Sequence, residues 1–249
     1  MNGSEKTLTK QLPNLKLTSD ILPERVLVCG DPSRAKIIAD LLDNPVLIAQ
    51  NREYHTYSGS WKGSQVAVVS HGVGAPGAAV CFEELVMGGV QSIIRVGTAG
   101  SYQKDVTPGS LVISTAAVSC DGLTKQIVPT GFPAVADRHI VEALMNAADL
   151  VDGGVPVNEG ITLTLDAFYS GVLEFPHQLY KKAGVLAVDM ENSALFVIAA
   201  LKGIKAGAIM AIDGYADAEL RDEYNPHNDL VSNAVEAEMK IALDAITAL

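Results

Sequence analysis

Three arginines stand where a small anion could be gripped: Arg34 in VLVCGDPSR, Arg52 in NREYHTYSG and Arg95 in SIIRVGTAGS. The chain has only six arginines and a net charge of −11, so these three, beside glycines or at the end of apolar runs, point to a local purpose. A guanidinium fork matches phosphate geometry bidentately, and glycines let backbone N–H groups approach the same oxygens. The chemistry to expect is that of an enzyme using inorganic phosphate or a phosphorylated substrate.

Each piece also has a plainer reading. GDPSR, Gly30 to Arg34, joins a glycine, the N–H groups of a helix start and an arginine, which makes an anion site or a capped turn with a surface arginine. RVGTAG, Arg95 to Gly100, sets Thr98 between two glycines. Its hydroxyl and the nearby amides could cradle phosphate oxygens, or Arg95 could simply pair a buried carboxylate, since an arginine in an apolar run must find a partner. Arg52 alone is a solvated charge until something fixes it. In VDMEN, Glu191 could clamp the vicinal hydroxyls of a sugar, or the acidic pair Asp189 and Glu191 could complement a helix dipole. Asp213 ends the apolar run AGAIMAI; desolvation there would raise its pKa and suit a proton donor, whereas a turn aspartate would be inert. Phe168 and Tyr169 could stack on a base or belong to the core.

Elements must hold these residues together. VLVCG, VAVVS, SIIRV, SLVISTAAV, VNEGITLTL, VLAV and AGAIMAI read as strands. Between them, DPSRAKIIADLL, AAVCFEELVMGGV, HIVEALMNAADLV and ENSALFVIAALKG read as helices, and LVSNAVEAEMKIALDAITAL closes the chain as another. Asp31 caps the first helix and Pro32 fits its first turn. This alternation over 249 residues predicts one α/β domain, a largely parallel sheet with helices on both faces. Ligands in such folds gather at the carboxyl ends of strands, where Gly30, Thr98, Phe168 and Asp213 all fall.

Composition excludes several classes. A pI near 4.8 argues against nonspecific nucleic-acid binding and against an anionic membrane as partner. No apolar run reaches the ~18 residues of a span. Residues 1–16 are polar, lack a signal peptide's apolar centre and are expected to form a loosely held arm. Cys29, Cys81 and Cys120 are widely spaced and odd in number, which suits small buried side chains in a reducing cytosol, with a catalytic thiol as the alternative. His55, His71, His139, His177 and His227 show no metal-ligand spacing, so no metal is expected, and His71 reads as a structural histidine. No GxSxG or Walker lysine motif is present.

Taken together, GDPSR, NREY, SHGVGAPGAAVCFEEL, IIRVGTAGS, FPAVAD, DAFYSG, VDMENSALF and AIDG, in this order and over nearly the whole chain, resemble the hexameric type of nucleoside phosphorylase, the purine and uridine enzymes. The likeness extends to purine members from apicomplexan parasites. It implies a single domain with a central mixed, largely parallel β-sheet flanked by helices, and cleavage of a nucleoside by phosphate into free base and pentose 1-phosphate. It also implies a cytoplasmic homo-oligomer, a hexamer built of three dimers, with no cofactor beyond phosphate as co-substrate. By position, Gly30, Arg34, Arg95 and Thr98 would bind phosphate, and Arg52 would complete the neighbour's site. Met190 and Glu191 would hold the ribose, with Asn14 standing where many members place a histidine reaching the neighbour's 5′-hydroxyl. Phe168, Val188, Asp189, Ala99 and Gly100 would line the base, and Asp213 would protonate the purine N7. Uridine enzymes carry a Gln-x-Arg pair shortly after the Phe–Tyr; Val172 and Glu174 stand there instead, which with Asp213 favours a purine. A uridine phosphorylase, a hydrolase of the same fold and a non-catalytic binding relative are the alternatives.

Overall fold

The computed structural model describes residues 9–151, 154–216 and 229–249. The first part runs β1 (Gln11–Leu12), β2 (Leu17–Thr18), β3 (Arg25–Cys29), α1 (Pro32–Ala39), β4 (Asp43–Asn51), β5 (Tyr54–Trp61), β6 (Ser64–Ser70) and α2 (Ala75–Met87). Next come β7 (Ser92–Ser101), β8 (Leu111–Ser119), α3 (Thr124–Ile127), β9 (Ala134–Val135), α4 (Arg138–Ala148) and β10 (Val157–Thr164). The chain ends with α5 (His177–Lys182), β11 (Ala187–Asp189), α6 (Asn192–Lys202), β12 (Lys205–Tyr215) and α7 (Asp229–Thr247).

One mixed sheet dominates, in the order β11-β10-β8-β12-β7-β3-β6-β5-β4. Strands β6, β3, β7 and β12 run parallel, as do β8, β10 and β11. These central strands are nearly continuous apolar runs because both their faces are covered: Val26, Leu27 and Val28 of β3 and Ile93 and Ile94 of β7 are fully buried. β11 also pairs antiparallel with β7, Val188 opposite Gly100, so β7, β12, β8, β10 and β11 close into a ring. Beyond β6 the sheet turns into an antiparallel wing of β5 and β4. Residues 43–61 carry too many polar side chains for their sequence to announce that wing.

Helices cover the sheet through caps placed as local chemistry requires. Asp31 accepts from the Ser33 N–H (2.8 Å) at the start of α1, and Asp137 accepts from His139 and Ile140 at the start of α4. α4 and α7 pack together over β12, and α6 lies over β8 and β12 while packing on α2. α6 stops at Gly203, whose φ of 69° is the left-handed conformation that favours glycine.

The loose arm expected for residues 1–16 needs correction where the chain is described. β1 and β2 pair antiparallel, and Leu12 and Leu15 are buried in the core. The Glu84 carboxylate of α2 accepts the N–H groups of Asn14 (2.9 Å) and Leu15 (2.8 Å), so hydrophobic burial and a charged acceptor together tie this segment down. Residues 1–8 and His227 lie outside the described residues.

Candidate active site

Arg95 is the buried centre of the site. It lies in β7 between apolar neighbours, 5% exposed. Side chains two apart on a strand share a face, and position 97 is a glycine. A Cβ at Gly97 would fall 2.7 Å from Arg95 Nη1, so the guanidinium folds back over bare backbone. Nη1 donates to Asn192 Oδ1 (3.2 Å) and faces Asp189 Oδ2 (3.3 Å), while Nη2 pairs with Glu191. Nε has no hydrogen-bond partner among the described residues. The plain reading of Arg95 holds, since it pairs buried carboxylates, and its Nε remains an unspent donor.

Glu191 opens α6, and its Oε1 also accepts the Gly74 N–H (2.6 Å) at the start of α2, where the glycine has φ 96°. Burial alone would push Glu191 up; the Arg95 guanidinium, then His71 and the Gly74 amide, reverse this and hold it below the ordinary carboxylate range. It is an ionised acceptor fixed at two helix starts. Met190 beside it is half-buried. Asp189 departs from its expected base-lining role. Its side chain is enclosed, accepting from the Thr164 hydroxyl (2.7 Å) and from the N–H groups of Glu191 (3.0 Å) and Asn192 (2.8 Å). Both oxygens are engaged, Oδ1 by Thr164 and Oδ2 in capping α6 and anchoring Arg95, and the fully buried side chain presents no exposed edge to a base.

Asp213 reaches its position through a bulge. β12 pairs with β7 in register to Ile212 opposite Ala99, then resumes with Gly214 opposite Gly100, and Asp213 is the extra residue. A bulge re-aims a side chain, and here it brings the carboxyl to the Thr98 hydroxyl. Burial pushes Asp213 up to about 6, against the pull of Thr98, its own backbone amide and the Arg34 charge. Thr98 and Asp213 thus lie inside strands, not at strand ends, and the bulge does what a strand end was expected to do. Gly30 follows β3 directly. A Cβ there would sit 3.1 Å from the Gly72 carbonyl, and the Gly72 N–H donates to the Gly30 carbonyl (3.0 Å), so two bare backbones run side by side. Arg34, half-buried on α1, exerts its charge on Cys29 and Asp213 alike, which places GDPSR, Thr98 and Asp213 in one neighbourhood.

Other expected residues lie farther out. Val188 is half-buried in β11 beside Gly100. The Ala99 methyl packs into a small core cluster with Val106, Val112 and Ile212, so its side chain does not line a base pocket. Phe168 and Tyr169 make an edge-to-face pair at 5.1 Å but are 66% and 81% exposed, which rules out their core reading. Arg52 is exposed, at φ 52° in the β4–β5 turn. The adjacent Asn51 side chain donates to the Asn14 carbonyl (2.7 Å), which brings Asn14 near Arg52, but the half-buried Asn14 spends its own amide on Glu84 (2.6 Å). Cys29 and Cys81 are buried, with burial pushing Cys29 up to about 12, while Cys120 is half-buried against the Tyr180 hydroxyl at 3.2 Å.

Residue-by-residue reasoning misses three participants. Gly97 gives Arg95 its room; its signal was the spacing RVG. Gly74 supplies the amide that holds Glu191. His71 is fully buried, its Nδ1–H donating to the Gly72 carbonyl (2.8 Å), and burial first, with Arg95 against it, brings its pKa down to about 4. The ring is neutral and its Nε2 is an acceptor without a partner among the described residues, so it is not the fully satisfied structural histidine expected.

Residues 24–248 match the model of the Phosphorylase superfamily, and the chain belongs to that family. The purine nucleoside phosphorylase of Plasmodium falciparum is 38% identical over 241 residues, covering 96% of each chain. The solved purine nucleoside phosphorylase of Toxoplasma gondii in complex with immucillin-H superposes with a TM-score of 0.91 at 32% identity, over 100% of this chain and 98% of that one. A solved uridine phosphorylase from Vibrio fischeri superposes at 0.88 with 30% identity, over 97% and 98%. The chain is therefore an enzyme, a pentosyltransferase of nucleoside phosphorylase type that acts on nucleoside and phosphate.

Proposed function

We propose that the chain is a purine nucleoside phosphorylase, cleaving purine ribo- and 2′-deoxyribonucleosides to free base and pentose 1-phosphate. The observation that carries this reading is Asp213, an acid bulged out of β12 onto Thr98 and raised by burial to about 6. As the C1′–N9 bond breaks, its electron pair passes to the leaving base, and a protonated Asp213 delivers its proton to N7. Positive charge builds on the sugar, and phosphate held by Gly30, Arg34, Arg95 and Thr98 stabilises it and then bonds to C1′ through one of its oxygens. Glu191, already ionised, accepts from the ribose hydroxyls, with Met190 against the sugar and Phe168, Val188 and Gly100 near the base. The segment carrying Phe168 supports purine over uracil: Val172 and Glu174 offer no hydrogen-bond donor for uracil's carbonyls.

The reading includes a cytoplasmic homo-oligomer, up to a hexamer, and no cofactor beyond phosphate. Arg52, exposed in the β4–β5 turn, is what a subunit would present if it completed its neighbour's site, whereas the Asn14 amide is spent on the buried Glu84 carboxylate (2.6 Å). Replacing the acid tests the purine assignment. Asp213→Asn is expected to lower inosine turnover by ~100-fold, the scale of a lost general acid. Unchanged turnover would remove Asp213 from the mechanism.

A further inference from the structure

Beneath the arginines lies an acid that the reaction as drawn does not use. Glu238, on the inner face of α7, is wholly buried, and neither carboxyl oxygen has a hydrogen-bond partner among the described residues. α7 packs over β12, β7 and β3, the strands that carry Asp213, Arg95 and Cys29, and Cys29 leads into GDPSR. The charged groups acting on Glu238 are Arg34 from α1 and Arg95 from β7, both attractive, and Asp213 from β12, repulsive; Cys29 of β3 feels it in turn. From α4 nothing charged enters, since Arg138, His139 and Glu142 are exposed, and the β5 end of the helix is occupied by Trp61 donating to Asp244.

A carboxylate buried without donors is costly, so such a group keeps its proton. Burial pushes Glu238 up to about 8, against the pull of Arg34, the nearby Ala211 amide, which falls short of hydrogen-bond geometry, and Arg95. Neutral, it draws neither arginine toward itself, so Arg34 and the part of Arg95 not spent on Glu191 and Asp189 can act on an anion. Ionised, it would draw on Arg34 and repel a phosphate dianion. We propose that Glu238 is a positioning residue that couples phosphate affinity to a proton: phosphate binds the form in which Glu238 is protonated. This rests on the reading of Arg34 and Arg95 as the phosphate site.

Linkage fixes the sign. The empty enzyme loses this proton as pH rises through about 8, and bound phosphate holds it on. Phosphate binding above that pH must then take up a proton. With inorganic phosphate a dianion throughout, its Kd should rise by ~5-fold from pH 8 to pH 9, as expected for one proton linked to binding. The experiment is calorimetric titration of inorganic phosphate into the full chain at both pH values, in two buffers of different ionisation enthalpy. Proton uptake in the native protein, abolished in Glu238→Gln together with the pH dependence of Kd, is the expected result. Absence of uptake in the native protein would overturn the proposal without recourse to any variant, and uptake that persists in Glu238→Gln would overturn it too. Arg95→Ala separates the two claims. If phosphate binds it normally, the anion-site reading itself fails; if only the proton uptake is missing from the native enzyme, the proposal about Glu238 fails alone.

Discussion

Asp213 and Glu191 are both carboxylates, yet their surroundings drive them apart. Glu191 meets a guanidinium and an amide and stays charged; Asp213 is buried beside a hydroxyl, with Arg34 only partly offsetting that burial, and is raised to about 6. One is suited to accept hydrogen bonds from a sugar, the other to donate a proton to a base. The raised value sets a pH dependence. In the proposed mechanism the active form of Asp213 is protonated, so kcat/KM for a purine nucleoside should fall as pH rises through an apparent pKa of about 6 or above. The higher value applies when bound phosphate favours the protonated acid. That alkaline limb should be missing in Asp213→Asn, measured at saturating phosphate. A limb shared by native enzyme and variant would assign it to another group.

At the scale of elements, β7 is the strand on which the site is hung. It carries Arg95 on one side of the sequence RVG and Thr98 just beyond it. Gly97→Ala would place a methyl 2.7 Å from a guanidinium already fixed by Glu191 and Asn192. Arg95 must then move, and the phosphate KM should rise by ~10-fold, one lost charge-assisted contact. Stability should fall as well, since a buried ion pair is disturbed; a phosphate KM left unchanged in the folded variant would show that Arg95 does not reach the anion. Packing supplies a contrasting case. At Gly207 of β12 an added Cβ would lie 2.3 Å from Ile140 of α4, so Gly207→Ala should destabilise the fold by about 1–3 kcal/mol without a selective effect on phosphate, as denaturant melts would show.

These two glycines show where the sequence was legible and where it was not. The apolar runs of β3, β7 and β12 and the caps Asp31 and Asp137 could be read locally, because strand burial and helix starts are set by neighbours along the chain. Arg34, Arg95, Glu191 and Asp213 stood out because charge beside an apolar run demands an explanation, and Thr98 because it stands between two glycines. The bulge at Asp213, the enclosed side chain of Asp189, the outward pair Phe168 and Tyr169 and the antiparallel wing could not be read so. Each depends on which strand lies opposite, and register is a property of pairs. Glu238 shows the same limit: on the helical pattern it is one polar position among several, and only the packing of α7 over β12 buries it.

At the scale of the whole molecule, the candidate site within one chain has Arg34, Arg95, Thr98, Glu191 and Asp213 but keeps Arg52 at the surface. If each subunit completes its neighbour, Arg52→Ala and Arg95→Ala chains should each be nearly inactive alone. A mixed dimer of the two would regain one intact site, because the Arg52→Ala subunit keeps Arg95 and borrows Arg52. Co-expression followed by purification of the mixed species should therefore recover up to about half the native activity per dimer, the share of one site in two. Activity no higher than in either parent would argue for independent subunits.

The central claim is phosphate-dependent cleavage of a purine nucleoside. Its most direct test is base release from inosine and from uridine, each with and without inorganic phosphate. Release of hypoxanthine from inosine only when phosphate is present, with uridine turned over far more slowly, is the predicted result. Preferred cleavage of uridine, or base release without phosphate, would contradict it.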